Sequence, residues 1–187
     1  MPAAQTLRVA LIGDSHTQAL GPRLKAALAQ AGISSEVTAN PGKSLDWYLE
    51  SGELARAVDG ASHVVFMIGG NDNWLNAAEA RVAVAQALEV IGERPTLWVG
   101  PAYALPNAGA DAHARHEKTA VFYASALPKS VRYLDSRFIT RTRHRDDGVH
   151  FTADGYDIWG QAVLVQLDRL LNGPTVLDLM LRSLGLL

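Results

Sequence analysis

Apolar and polar positions along the chain follow two alternating patterns. Short runs that are apolar at nearly every position are separated by longer stretches in which apolar residues recur at spacings of three and four. The first pattern predicts buried strands and the second predicts amphipathic helices. Strands are predicted at residues 7–12, 35–39, 63–68, 96–99 and 130–134. Helices are predicted at residues 18–30, 45–58, 76–91, 113–126 and 153–171.

The regular alternation of strand and helix predicts a parallel sheet with right-handed crossovers. The runs "VALI" and "VVFMI" are apolar on both faces, as strands between two layers of helices should be. The predicted fold class is therefore α/β, a three-layer α/β/α sandwich around a flavodoxin-like, five-stranded parallel sheet, with residues 1–187 as a single domain. In such sheets, ligands bind beyond the carboxyl ends of the strands, where the strand order reverses.

The end of the chain predicts one more amphipathic helix, over residues 172–187. Pro174 suits its first turn. We expect its apolar stripe to pack on the domain, and a dimer interface is the alternative. The stripe consists of Val176, Leu177, Met180, Leu181, Leu184 and Leu187.

Composition narrows the classes of function. The net charge is −2, from 17 basic and 19 acidic residues, and no basic stripe favours nucleic acid as a partner. The absence of cysteine excludes disulfides, thiolate chemistry and cysteine zinc sites. No apolar run approaches the roughly 20 residues of a membrane span, and no signal peptide is recognised. A cytoplasmic location is the default expectation, although a secreted protein without its leader would have the same pattern.

The first predicted strand ends in Gly13-Asp14-Ser15-His16. Asp14 or Ser15 is a good cap for the next helix. A serine in the first turn of a helix is also a candidate nucleophile, because free N–H groups and the positive helix end stabilise an oxyanion there. Taken alone, the motif favours the cap.

Glycine-containing loops follow the second and third strands. In "NPGKS", residues 40–44, a phosphate loop is rejected because Val37 stands where that loop needs a glycine. Gly42 remains as a turn residue that exposes its backbone N–H. In "IGGNDNW", residues 68–74, Asn71 offers an amide donor. A turn with an N-cap for the next helix is the alternative, and Asp72 and Asn73 are both candidate caps, so Asn71 is not needed as one.

The last predicted strand is followed by "RDDGVHFTADGY". Asp147 and His150 lie three residues apart across Gly148, so both side chains can point the same way, and an acid beside an imidazole fixes its tautomer. Thr152 is the predicted cap of the last long helix. A surface turn is the alternative for this segment alone. Together, the four strand ends supply a nucleophile, donors and a base with its acid, which is the logic of a serine triad with an oxyanion hole.

These blocks resemble those of the SGNH, or GDSL-type, hydrolases. The matching residues, in order over roughly residues 7–171, are Gly13-Asp14-Ser15, Asn40-x-Gly42-x-Ser44, Gly69-x-Asn71-Asp72 and Asp147-x-x-His150. The resemblance implies that Ser15 is the nucleophile, His150 the general base and Asp147 the acid that orients it, with Asp146 as the alternative acid. It also implies an oxyanion hole formed by the N–H groups of Ser15 and Gly42 and the side chain of Asn71. Neither a metal nor a cofactor is expected.

Two residues depart from the resemblance. His16 replaces the leucine of GDSL, and GDSH variants are similar to enzymes acting on O-acyl groups of polysaccharides. Phe151 follows His150 where many relatives have proline. Each is a candidate substrate contact; capping or packing is the alternative for His16, and core packing is the alternative for Phe151. In the loop after the fourth strand, residues 101–118, Tyr103, His113, Arg115 and His116 are further candidates for a polar substrate, and a solvated loop is the alternative.

The predicted function is a serine esterase that hydrolyses a small acyl ester, acetyl above all and carried by a carbohydrate, through an acyl-enzyme. The alternatives are an O-acyltransferase, a thioesterase, a lysophospholipase, or an inactive glycan-binding module. The expected partner is a small-molecule or glycan ester, and both a monomer and a dimer are compatible with the sequence.

Overall fold

A five-stranded parallel sheet forms the middle layer of the protein in the computed structural model, which describes residues 7–109 and 111–173. The sheet has the order β2-β1-β3-β4-β5, so the direction of winding reverses between β1 and β3. This is the flavodoxin-like order, and the predicted three-layer fold is confirmed. The strands are β1 (Arg8–Gly13), β2 (Ser34–Ala39), β3 (His63–Met67), β4 (Thr96–Val99) and β5 (Arg132–Leu134).

Helices cover both faces of the sheet. Alternate residues of β1 point to opposite faces, so Val9 and Leu11 pack with one helical layer while Ala10 and Ile12 pack with the other. The first layer contains α1 (Ser15–Gln30) and α6 (Ala153–Asn172). The second contains α2 (Leu45–Glu50), α3 (Glu53–Val58), α4 (Ala77–Ile91) and α5 (Ala112–Ala126). A short 3₁₀ turn, Ser136–Phe138, follows β5.

Two helices differ from the prediction. The first begins at Ser15 rather than at residue 18, because Asp14 caps it directly after the strand by accepting the backbone N–H of His16 at 2.9 Å. The predicted helix 45–58 is two helices, because Gly52 adopts the left-handed conformation with φ 69° and interrupts it. Thr152 occupies the predicted N-cap position of α6, although its side chain makes no capping hydrogen bond.

Neither of the two candidate caps, Asp72 and Asn73, caps α4. Asn76 is the cap, and its side chain accepts the backbone N–H groups of Ala78 and Glu79. The apolar pattern had placed Asn76 inside the helix.

The described part of the chain ends just after α6. Among the residues described, no helix has both the length and the apolar character needed to cross a bilayer. Of the predicted C-terminal helix, residues 172–187, Asn172 belongs to α6 and Gly173 is the C-cap of α6. Residues 174–187 lie outside the described residues. That helix and the single-domain assignment stay predictions.

Candidate active site

The carboxyl ends of β1 and β3 approach each other closely because Gly13 has no side chain. A Cβ atom at Gly13 would lie 1.9 Å from the carbonyl oxygen of Met67 and 2.3 Å from Oγ1 of Thr17. The backbone N–H of Asn40 donates to the carbonyl of Gly13 at 2.8 Å, which ties the end of β2 to the same place. The loops that follow these three strands therefore start side by side, at the point where the strand order reverses.

Ser15, His150 and Asp147 form a chain of contacts at this edge of the sheet. Ser15 is the first residue of α1, directly after its cap, and its side chain is half-buried. Its Oγ lies 3.0 Å from Nε2 of His150, which comes from the loop between β5 and α6. Nδ1 of His150 lies 2.8 Å from Oδ2 of Asp147. The structure thus brings together three side chains that are up to 135 residues apart in the sequence.

Asp147 is held by its own turn. Its Oδ1 accepts the backbone N–H groups of Val149 at 2.9 Å and His150 at 2.8 Å. Desolvation alone would raise the pKa of Asp147, but these N–H groups and the imidazole lower that pKa to about 2. Gly148 permits the turn, with φ 69°. The imidazole contacts Asp147 rather than the alternative acid Asp146, whose side chain is exposed.

Gly42 and Asn71 lie on facing loops beside Ser15. Gly42 is exposed, with φ 74° and open space where a Cβ would stand. Nδ2 of Asn71 donates to the carbonyl of Lys43 and to Oδ2 of Asp14, both at 3.3 Å. The amide is therefore placed between the cap of α1 and the Gly42 loop. Both contacts are long, so an acyl oxygen of a substrate competes with weak partners for this amide.

Two buried carboxyl groups support these loops. Asp14 caps α1, and burial raises its pKa to about 7, against the lowering effect of the His16 N–H. Asp72 is fully buried; its Oδ1 accepts the N–H of Leu45 at 2.7 Å and its Oδ2 accepts the hydroxyl of Tyr123. Burial also raises the pKa of Asp72, to about 6. Sequence reasoning missed this role of Asp72, although two surplus polar residues before one helix were a signal that they serve another purpose.

His16 and Phe151 pack in the core behind the triad. Phe151 is fully buried, with its ring centroid 5.8 Å from that of His16. His16 is buried as well, and its Nδ1 lies 3.1 Å from the hydroxyl of Tyr156. Burial lowers the pKa of His16, as do the neighbouring His116 and His150. The packing alternative therefore describes both residues better than contact with a substrate, for which they expose almost no surface.

The residues proposed for a polar substrate after β4 mostly fix the loop itself. Nδ1 of His113 lies 2.7 Å from the carbonyl of Ala104. His116 is buried, with its two ring nitrogens beside the carbonyls of Ala102 and Gly70. These two imidazoles therefore anchor the backbone of the loop.

The same loop reaches the turn that carries the triad acid. The N–H of Leu105 donates to the carbonyl of Gly148 at 2.8 Å, so this loop does overhang the candidate site. Tyr103 is half-buried, with the guanidinium of Arg141 above its ring at 5.4 Å. Arg115 donates to the carbonyl of Gly70 at 3.0 Å. Of this loop's candidates, Tyr103 stays a prediction.

The interior directly behind Ser15 is closely packed. A cavity of only about 10 Å³ lies between Asp14, His16 and Trp159. That is room for about one water molecule. In the described part of the chain, no three histidine or acidic side chains are grouped in a way that could hold a metal ion.

The arrangement is that of a nucleophile, base and orienting acid at the switch point of a doubly wound sheet, and solved structures share this fold. The sequence matches no protein-family profile and no curated protein. The fold is that of the SGNH/GDSL hydrolases, as the resemblance implied. A GDSL-like lipase from Bacteroides thetaiotaomicron VPI-5482 superposes with a TM-score of 0.65 at 17% identity, over 90% of this chain and 91% of that one.

Two further similar structures have names that refer to carbohydrate esters. An acetyl xylan esterase from Geobacillus stearothermophilus gives a TM-score of 0.70 at 14% identity, over 86% of this chain and 94% of its own. A carbohydrate acetylesterase family member from Sinorhizobium meliloti gives a TM-score of 0.68 at 19% identity, over 88% of this chain and 99% of its own. At these identities the similarity establishes the fold.

Proposed function

We propose that the protein is a serine esterase that hydrolyses a small acyl ester through an acyl-enzyme. The observation that carries the proposal is the continuous contact from Ser15 Oγ to His150 Nε2, at 3.0 Å, and from His150 Nδ1 to Asp147, at 2.8 Å. This geometry suits proton transfer from the nucleophile to the base. The intact chain of contacts also favours an enzyme over a binding module that has lost catalysis.

In the proposed reaction, Ser15 Oγ attacks the ester carbonyl while Nε2 of His150 takes its proton. The tetrahedral intermediate collapses, the C–O bond to the alcohol breaks, and His150 returns the proton to the departing oxygen. Water then attacks the acyl-enzyme by the same route and releases the acid. Asp147 stays ionised throughout and stabilises the imidazolium, which its pKa of about 2 permits.

The oxyanion hole of this proposal is made of Ser15, Gly42 and Asn71. The N–H of Ser15 lies in the first turn of α1, where the helix end carries partial positive charge. Gly42 presents its N–H from an exposed turn, and the Asn71 amide lies between that turn and the cap of α1. Donors of this kind stabilise charge that develops only as the carbonyl is attacked.

A short acyl group carried by a carbohydrate is the proposed substrate. Next to Ser15, between Asp14 and His16, the described residues enclose a space of only about 10 Å³, and this close packing supports a short acyl group over one buried in the core. Two proteins of similar structure, an acetyl xylan esterase and a carbohydrate acetylesterase family member, support a carbohydrate as the alcohol. Acyl transfer shares the acyl-enzyme, but the side chain of Asp147 is 49% exposed, and a triad this open to water favours hydrolysis.

The test is hydrolysis of p-nitrophenyl acetate by Ser15→Ala. We expect the variant to lose about three orders of magnitude or more in kcat, because the acyl-enzyme can no longer form. Ser125→Ala is the matched control, since Ser125 is an exposed serine on α5 whose hydroxyl, within the described residues, donates only to the carbonyl of Phe122. Wild-type turnover by the Ser15 variant would refute the assignment of the nucleophile.

A further inference from the structure

The two loops that carry Gly42 and Asn71 run side by side beyond the candidate oxyanion hole. One loop leads from β2 into α2 and the other from β3 into α4. We call their line of contact the loop seam. Three side-chain contacts define it: Asn71 Nδ2 with the carbonyl of Lys43 at 3.3 Å, Asp72 Oδ1 with the N–H of Leu45 at 2.7 Å, and Trp74 Nε1 with Oδ2 of Asp46 at 3.3 Å.

A groove of about 520 Å³ opens at the outer end of the loop seam. This volume lies within the range of small-ligand sites, about 300–1,000 Å³. Trp74 lies in its wall and is only three residues from Asn71, so their Cα atoms are at most about 11 Å apart. The groove therefore begins close to the Asn71 side of the candidate oxyanion hole. The lining includes Asp46, Trp74, Asn76, Glu79, Val82 and Gln86.

The polar side chains of the groove are already fixed in position. Asp46 accepts the indole N–H of Trp74. Glu79 accepts the backbone N–H of Leu75 through Oε2, at 2.9 Å, and the amide of Asn76 through Oε1, at 3.0 Å. Each carboxylate oxygen retains acceptor capacity beyond these bonds. The groove thus presents preorganised acceptors, together with the amide of Gln86.

The charge of the groove determines which class of alcohol it can bind. Two carboxylates line it, and none of the described residues of its lining is basic. Lys43, on the loop seam, keeps its ammonium group 5.1 Å from the centre of the Trp47 ring. Phosphate and carboxylate groups are therefore repelled, whereas hydroxyl groups can donate to the acceptors. Val82, 58% exposed, supplies an apolar surface for the C–H face of a sugar ring.

We propose that this groove binds an uncharged sugar unit of the alcohol half of the substrate. The inference rests on the proposed esterase function and adds where the alcohol lies and what class it belongs to. The acyl group is held at Ser15, the ester oxygen points along the loop seam, and the adjoining sugar occupies the groove.

The experiment compares acetylated xylotetraose, a neutral sugar ester, with p-nitrophenyl acetate. Val82→Trp fills the groove from an exposed position of α4, so we expect KM for acetylated xylotetraose to rise about tenfold. Gln86→Ala removes one neutral hydrogen bond and should raise KM about fivefold. Neither variant should alter the kinetics with p-nitrophenyl acetate, which is too small to reach the groove and which also reports that each variant is folded.

Val165→Trp is the matched control. Val165 is an exposed valine on α6, on the opposite face of the sheet, and its replacement should leave both substrates unaffected. If Val82→Trp and Gln86→Ala cleave the sugar ester with the wild-type KM, the groove is not the alcohol site.

Binding to Ser15→Ala, measured by titration with acetylated xylotetraose, separates this inference from the proposed function. One outcome is that the wild type cleaves p-nitrophenyl acetate but not the sugar ester, and that Ser15→Ala does not bind the sugar ester. The sugar site is then refuted, and the esterase function stands. If the wild type cleaves neither ester but Ser15→Ala binds the sugar and Val82→Trp weakens that binding, the sugar site stands and the esterase is refuted.

Discussion

Asn71 shares its side-chain amide between Asp14 and the carbonyl of Lys43, at 3.3 Å each. In the proposed mechanism one of these N–H groups turns to the oxyanion, a contact that matters most in the transition state. Asn71→Ala should therefore lower kcat for p-nitrophenyl acetate by about 10²–10³ with a small change in KM. Asn73→Ala, two residues away and exposed, is the control. An unaltered kcat in the Asn71 variant would remove this residue from the oxyanion hole.

The two neighbouring acids Asp146 and Asp147 allow a direct test of which one orients the base. Asp147→Asn keeps the shape of the turn but replaces the carboxylate that contacts Nδ1 of His150 at 2.8 Å. Loss of the correct tautomer should lower kcat by about 10⁴. Asp146→Asn should retain most activity, because that side chain is exposed and makes no contact with the imidazole. The reverse ranking of the two variants would restore the alternative acid.

The roles of residues were predictable where those roles depend on local spacing in the sequence. The three-residue spacing of Asp147 and His150 predicted their contact, and Asp14 was one of the two candidate caps of α1. The sequence could not decide between substrate contact and packing for His16, because its partner Tyr156 is 140 residues away in the sequence and comes from α6. The sequence pattern shows that a polar residue follows a strand, whereas the tertiary fold determines whether that side chain faces solvent or another helix.

At the scale of elements, α2, α5 and the loop after β3 are joined through Asp72. Tyr123 on α5 donates its hydroxyl to Oδ2 of Asp72, and both side chains are fully buried. Tyr123→Phe leaves that carboxylate oxygen without this donor, so the free energy of unfolding should fall by about 1–3 kcal/mol. Urea unfolding measures the loss. Tyr103→Phe, on a half-buried ring whose hydroxyl has no hydrogen bond within the described ranges, should change stability far less. Equal effects of the two replacements would show that Asp72 does not depend on Tyr123.

Element positions followed closely from apolar patterning, and the largest error has a physical cause. The break at Gly52 was missed because the apolar pattern continues across it: Leu45 and Tyr48 of α2 and Leu54 and Val58 of α3 are buried in the same core. Periodicity reports which side chains face the core. It does not report whether the backbone turns between them, which here depends on one left-handed glycine.

At the scale of the whole molecule, the strand order places the candidate site. Asp14 follows β1 and Asn71 follows β3, and these strands are neighbours because the winding reverses between them. The parallel sheet and the side on which a site forms were predictable from strand–helix alternation. The buried carboxyl groups Asp14 and Asp72 at that point were not predicted as a pair, since their proximity exists only after β1 and β3 are adjacent.

These buried acids make the free energy of unfolding depend on pH, and buried histidines have the opposite effect. Asp14 has a pKa of about 7 when folded, against 3.8 for an ordinary aspartate, so between these values the folded state keeps a proton that the unfolded state has released. The stabilisation of the folded state that comes from Asp14 is fully present below pH 3.8 and is lost as the pH rises towards 7. Asp72, with a pKa of about 6, acts in the same direction. The lowered pKa values of buried His16 and His116 act oppositely, because only the unfolded chain takes up those protons as pH falls.

Comparison of the wild type with Asp14→Asn isolates one of these contributions. Asparagine can still cap α1 but does not titrate, so the histidine contributions cancel in the difference. The stability of the wild type relative to the variant should fall by about 1.4 kcal/mol per pH unit between pH 5 and 6.5 and level off above pH 8. Urea unfolding at pH 5, 6, 7 and 8 measures this difference. For Asp72→Asn, the stability of the wild type relative to the variant should also fall as the pH rises, but it should level off at a lower pH. A difference that stays constant from pH 5 to 8 would mean that Asp14 remains ionised in the folded protein, and that the oxyanion donors Ser15 and Asn71 work beside a permanent negative charge.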